Sequence, residues 1–180
     1  MENLLIPVIV FVLLIGIVYV AKTYFMKKPV LFGDFPYKKK DYLLTKAELS
    51  FYGVLKSVID NDLVIFSKVR LIDLLWLPKG TKNRQAYLNR IMSKHVDFVL
   101  CKSDTLSPVL VIELDDSSHQ EGKRQERDKF VNEVFRQAGL PLLRVKAKRS
   151  YSPGELSLAI KEKMANDAAI AEELVTESAA

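Results

Sequence analysis

Residues 4–21, LLIPVIVFVLLIGIVYVA, form one uncharged, strongly apolar run. At 1.5 Å rise per residue these eighteen positions span roughly 27 Å as a helix, close to the thickness of a bilayer core. Pro7 lies near the start, where a missing N–H costs little, and Tyr24 and Phe25 extend the run toward an interface that aromatic rings favour. Beyond this run the pattern changes to short periodic segments. Thr45-Lys46-Ala47-Glu48 is a capping-box pattern that predicts a helix to about Ile59, with Leu49, Tyr52, Val54, Leu55 and Val58 apolar. Asp60-Asn61-Asp62 is a turn, and residues 64–71 are rich in β-branched side chains and predict a strand. After a Lys79-Gly80 turn, residues 83–92 predict a short helix. Two short apolar runs, 96–101 and 109–114, are joined by a polar turn with Pro108 and predict a hairpin of buried strands. Residues 123–138 predict a helix ended by Gly139 at the C′ position, 142–145 another strand, and 153–164 a last helix with Pro153 in its first turn.

The order helix, strand, hairpin, helix, strand, helix predicts a three-layer α/β domain with a mixed central sheet. Four segments follow. Residues 1–26 are a transmembrane anchor, and 27–43, KKPVLFGDFPYKKKDYL, are a basic juxtamembrane linker broken by Pro29, Gly33 and Pro36. Residues 44–164 are the α/β domain, and 165–180 an acidic, Ala-rich tail expected to be a frayed helix or disordered. A cleaved signal peptide would show positive charge before the apolar run and an A-x-A site after it. Only Met1, Glu2 and Asn3 precede the run and no such site follows, so an uncleaved anchor is expected. Lys22, Lys27, Lys28, Lys38, Lys39 and Lys40 all follow the run. The positive-inside rule then places the N-terminus outside and the domain on the cytoplasmic side of the inner membrane.

Charge and cysteine content narrow the class further. Of 180 residues, 27 are Lys or Arg and 22 Asp or Glu, for a net charge of +5. Residues 22–164 hold every base and 17 of the acids, so that segment alone is +10. Such a balance suits a phosphate-bearing partner, nucleic acid or anionic lipid, although the linker lysines supply about half of the excess. The lone Cys101 excludes an intrachain disulfide and a Cys-rich zinc site and reads as a small core residue.

Three carboxylates sit in or at the end of apolar strands: Asp97 in HVDFVL, and Glu113 and Asp115 in VLVIELDD. Acids are rare in strands and costly to bury alone. A hairpin centred on residues 104–106 sets Asp97 opposite about Glu113, and strand alternation puts Glu113 and Asp115 on one face. Three carboxylates so close need a cation between them, and a hard divalent ion, Mg²⁺ or Mn²⁺, meets that need. His119, four residues after Asp115, is a candidate general base, acid or further ligand. On the next helix Arg124, Arg127, Val131, Val134 and Ala138 share one stripe, which would carry Lys123, Arg124 and Arg127 to the end of the Glu113 strand as phosphate contacts. Each has a bland reading beside it. Glu48 fits a capping-box partner, Asp115 and Asp116 a strand end, His119 a surface loop, and Arg127 with Asp128 an ordinary helix-surface pair.

At these residues the chain resembles the PD-(D/E)XK, or restriction-endonuclease-like, superfamily. The stretch IELDDSSHQ, followed by RQERDKFVNEVFRQAGLPLLRV, is similar to its very-short-patch-repair-endonuclease-like branch. It is most similar to a bacterial family catalogued only as a domain of unknown function, often carried behind an N-terminal membrane helix. The resemblance covers about residues 44–145. It implies metal binding by Asp97 and Glu113, a first-helix acid at Glu48, and a catalytic His at His119. The position usually held by a catalytic Lys holds Asp115, a departure from the pattern.

The resulting expectation is a membrane-anchored, nuclease-like protein that hydrolyses DNA or RNA phosphodiesters with Mg²⁺ or Mn²⁺. Asp97 and Glu113 would hold the metal, Asp115 would orient a water, and His119 would move a proton. One rival keeps the fold without chemistry, as a tether for nucleic acid or a protein partner. Another is a purely structural membrane protein whose linker lysines bind anionic lipid.

Overall fold

A computed structural model describes the backbone of residues 5–25, 35–115 and 121–178, and the side chains of 7–22, 35–115 and 125–166. The chain divides into two units at Asp41/Tyr42. In the first unit, helix α1 runs Leu5–Phe25. Its described side chains, 7–22, amount to about 24 Å of helix. Among the described residues no helix is long and apolar enough to cross a membrane.

The second unit is a mixed α/β domain. Helix α2 (Lys46–Val58) opens as its capping box requires: the Thr45 hydroxyl accepts from the Glu48 N–H at 3.3 Å, and the Glu48 carboxylate accepts from the Thr45 N–H at 2.9 Å. Strand β1 (Leu63–Arg70) leads into a single helical turn, α3 (Leu71–Leu74), and then α4 (Arg84–Met92). Strands β2 (His95–Lys102) and β3 (Pro108–Asp115) form the expected hairpin. Helix α5 (Glu121–Gln137) crosses over to β4 (Leu142–Lys146), and α6 spans Pro153–Ser178. The α3 turn is not visible in the β-branched pattern. Helix α6 continues well past Met164, because its Ala- and Glu-rich extension has high helix propensity.

The sheet order is β1-β2-β3-β4, with the first three strands antiparallel and β4 parallel to β3. Parallel pairing requires a long crossover, which α5 supplies. Gly139 (φ 65°) lets α5 stop: the Leu140 N–H reaches the Phe135 carbonyl at 3.1 Å and the Gly139 N–H that of Arg136 at 3.3 Å, a Schellman ending.

Each face of the sheet has its own core. Val99, Cys101 and Val111 pack with Val131 and Phe135 of α5. Phe98, Leu100, Leu110 and Ile112 pack with Phe51 and Leu55 of α2 and Leu156 and Ile160 of α6. The α5 stripe is therefore Val131 and Phe135 with half-buried Val134, while Ala138 is exposed. The alternation that sorts side chains between the two cores slips at two places. One is the turn end of the hairpin, where the register shifts between Leu100 and Cys101 and Val109 joins the same core as Leu110. The other lies toward the opposite end of the strands. Val96 and Val99 both join the α5 side, as do Val64 and Val69. The residues at this second slip are Lys68 and Asp97, which the flanking pairs Ser67↔Phe98 and Val69↔Val96 place opposite each other. Lys68 has φ 57°, a left-handed conformation that a β-strand does not otherwise contain.

Candidate active site

The slip places a side-chain cluster at the sheet end where β1 finishes and β2 begins. Lys68 reaches across to α2 and to its neighbouring strand. Its Nζ donates to Glu48 Oε1 at 2.6 Å and to Asp97 Oδ1 at 2.9 Å. The second Asp97 oxygen, Oδ2, accepts the Leu114 backbone N–H at 2.9 Å. The β2–β3 ladder runs from Cys101↔Pro108 to Phe98↔Ile112, and beyond it the Asp97 carboxylate takes an N–H of β3. Strand register, backbone and a cation together hold Asp97. Glu48 serves two partners at once, capping α2 through Oε2 and binding Lys68 through Oε1.

These groups are largely removed from water; the Glu48 and Asp97 side chains are each 13% exposed. Burial pulls the Lys68 ammonium down, but hydrogen bonds from Glu48 and Asp97 and the charges of both outweigh it, and its pKa is raised. Lys68 is therefore a firmly charged cation set between two acids.

Glu113 follows Ile112 on β3, so the register carries it opposite Asp97, as the hairpin pattern predicts. It makes no ion pair among the described residues. Burial, and then the negative charge of Asp97, push its carboxyl up to about 7. Arg144 and Arg127 pull it down and Asp115 pushes it up further. The Asp97 charge thus acts on Glu113, and Arg127 of α5 acts at the same spot, as its place on the helix stripe suggests.

Other expectations need correction. The three acids do not gather around a shared vacancy for a metal. Among the described residues no group of three or more His, Cys, Asp or Glu side chains is placed to hold one. Two basic side chains lie beside these acids. Lys68 lies between Glu48 and Asp97, and Arg144 holds Asp115, with Nη1 2.7 Å from Asp115 Oδ1. Arg144 also donates from Nε to Asn132 at 2.8 Å and from Nη2 to Asp128 at 3.4 Å, so Asp128 supports Arg144 and not Arg127. Asp115 is thereby tied to the β4–α5 junction. Asp116 and His119 lie outside the described residues, as do the side chains of Lys123 and Arg124.

Lys68 and Arg144 are the charged partners of these acids that the pattern alone did not single out. A signal existed for each, since both interrupt apolar strands, in LVIFSKVR and LLRVK. The pattern could not say that they answer acids 16 to 29 residues away.

No curated protein and no solved structure matches the chain. A family model does match, over residues 40–164, a stretch that holds every member of the Glu48–Lys68–Asp97–Glu113 cluster. The chain belongs to the family described as "Protein of unknown function (DUF2726)".

Proposed function

We propose that this protein is a membrane-anchored, metal-dependent phosphodiesterase acting on nucleic acid, built on a restriction-endonuclease-like fold. The observation that carries the reading is the pair Asp97 and Glu113. One acid is held in place by the Leu114 N–H and Lys68, and the other is pushed to about 7 beside it. Two carboxylates suit Mg²⁺ or Mn²⁺, since Mg²⁺ takes one or two protein carboxylates and fills its remaining positions with water and phosphate oxygens. The ion, when bound, supplies Lewis-acid polarisation of the phosphodiester and lowers the pKa of a coordinated water. Asp97 and Glu113 would hold it, and the ion's charge would bring Glu113 to its ionised form. Lys68 would place a fixed ammonium beside the acids, the role that the superfamily assigns to a Lys where this chain has Asp115. Arg127, with Lys123 and Arg124, would contact phosphate, and His119 would transfer a proton.

The anchor is part of the same proposal. The apolar side chains of α1 from Val8 to Val20 expose half or more of their surface, on every side of the helix. An all-round apolar helix suits lipid better than water. The Lys residues that follow would set the domain on the cytoplasmic face, with the linker lysines against anionic lipid.

The test is cleavage of single- and double-stranded DNA and RNA by the full chain in detergent micelles, with and without Mg²⁺ or Mn²⁺. Cleavage should require metal and fall at least a hundredfold in Asp97→Ala and Glu113→Ala. Cleavage unchanged in both variants would overturn the assignment.

A second reading, tethering without catalysis, draws support from Lys68 and Arg144, which pair with Glu48, Asp97 and Asp115. It expects salt-dependent nucleic-acid binding that EDTA leaves unchanged, with no turnover.

A further inference from the structure

The chain between β1 and β2 leaves the sheet at the end that carries Lys68 and returns at the end that carries Asp97. The Leu71 N–H closes this crossover on the Lys94 carbonyl at 2.9 Å. Its base is apolar and anchored: Leu71 is buried, and Ile72, Leu74 and Leu75 pack on the α5-side core. Trp76 comes next and does not join them. It is 81% exposed, and it is the single Trp of the protein. Indole is a side chain that folding usually covers, so a Trp presented outward from an anchored stem suggests a partner.

The charges of the same segment point to the partner's chemistry. Residues 71–94 contain Lys79, Lys82, Arg84, Arg90 and Lys94 and one acid, Asp73. Asp73 is taken by Arg70, through two hydrogen bonds of 2.8 Å. Lys79, Lys82 and Arg84 are exposed and form no ion pair among the described residues. Arg90 stacks over the Phe130 ring of α5 at 4.1 Å, and Lys94 lies 5.5 Å from the same ring centroid, so the positive charge continues toward the helix that carries Arg127. An outward aromatic face with unmatched cations on the same segment fits a strand with an accessible base to stack on and phosphates to neutralise. In a regular duplex the bases are already stacked on one another.

We infer that the 71–94 crossover is a single-strand nucleic-acid platform, in which Trp76 stacks on an unpaired base and Lys79, Lys82 and Arg84 contact its phosphates. The inference deepens the hydrolysis reading by naming its substrate class, nucleic acid with an unpaired segment next to the acid pair.

The single Trp makes the test direct. The full chain is placed in phosphatidylcholine nanodiscs with EDTA, and Trp fluorescence is followed while oligo(dT) or a duplex of equal length is added. Oligo(dT) should quench saturably, with an affinity that falls as salt rises, and the duplex should quench far less. Trp76→Ala should weaken binding of a labelled oligo(dT) about tenfold, and Trp76→Phe should restore most of the loss. Equal quenching by duplex, or none by either, would overturn the inference. So would a blue shift on changing to phosphatidylglycerol nanodiscs without any response to oligo(dT), which would make the loop a membrane contact. The two readings fail separately. Quenching without cleavage in Mg²⁺ removes hydrolysis and keeps the platform, and cleavage without quenching removes the platform alone.

Discussion

Replacing Glu113 by Gln tests the electrostatics of the site without disturbing its shape. In the folded protein the Glu113 carboxyl is pushed up to about 7, from about 4.5 for an ordinary glutamate, because burial and the Asp97 charge disfavour its ionised form. An acid whose folded pKa is raised contributes stability that is fully present below about pH 4.5 and is lost as pH rises through about 7. At 1.36 kcal/mol per unit, the shift corresponds to about 3 kcal/mol lost by pH 8, an upper value because water partly reaches the group. Gln cannot ionise. Glu113→Gln should therefore leave stability near wild type at pH 4.5 and raise it by about 2–3 kcal/mol at pH 8. Cys101 provides the assay: it is the only thiol and is 5% exposed on β2, so its reaction with a dipyridyl disulfide, which stays reactive toward thiols in acid, reports opening of the α/β unit in increasing urea at both pH values, even when α1 is held in a micelle. In wild type, Mg²⁺ at pH 8 should recover part of the lost stability, and in Glu113→Gln much less. A Gln variant stabilised equally at both pH values, or destabilised at pH 8, would refute the burial and charge argument for Glu113.

Further predictions concern the neighbours of this site. Lys68→Met leaves Glu48 and Asp97 without their shared cation and should cost about 2–4 kcal/mol in the same urea assay. Adding Asp97→Asn should restore part of that, and a double variant as unstable as the sum of the singles would show that the pair is not coupled. Gly139→Ala should cost about 1 kcal/mol from backbone conformation alone, since φ is 65° and an added Cβ meets nothing within 4 Å. A loss well above 3 kcal/mol would mean that the α5 ending carries more than a left-handed turn. Asp97→Ala and Glu113→Ala should abolish metal-dependent cleavage, and Trp76→Ala should selectively weaken single-strand binding.

The elements were legible because their signals are local. The Thr45–Glu48 capping box, the Gly139 stop and the two apolar runs of the hairpin each depend on a few neighbouring residues, and each stands where the pattern places it. The hairpin's outcome was legible but not its path: the Cys101↔Pro108 pair near the turn is offset by one, and a shift between Leu100 and Cys101 restores the alignment that sets Asp97 toward Glu113. Less legible were the side chains that meet these acids. Alternation assigns each strand residue to a face only while the backbone stays extended, and it slips at Lys68, where φ turns positive.

The amino-acid pattern by itself determined a mixed α/β domain behind an apolar helix, with two acids in neighbouring strands. Periodicity, caps and turn residues act within a few positions of one another, and that is enough to specify elements and the alignment of Asp97 with Glu113. Only the tertiary structure decided which charges answer those acids. Lys68 meets Glu48 and Asp97 across 20 and 29 residues of sequence, and Arg144 meets Asp115 across 29. Coulomb attraction and hydrogen bonding depend on distance in space, which exists only once the sheet has brought those strands together.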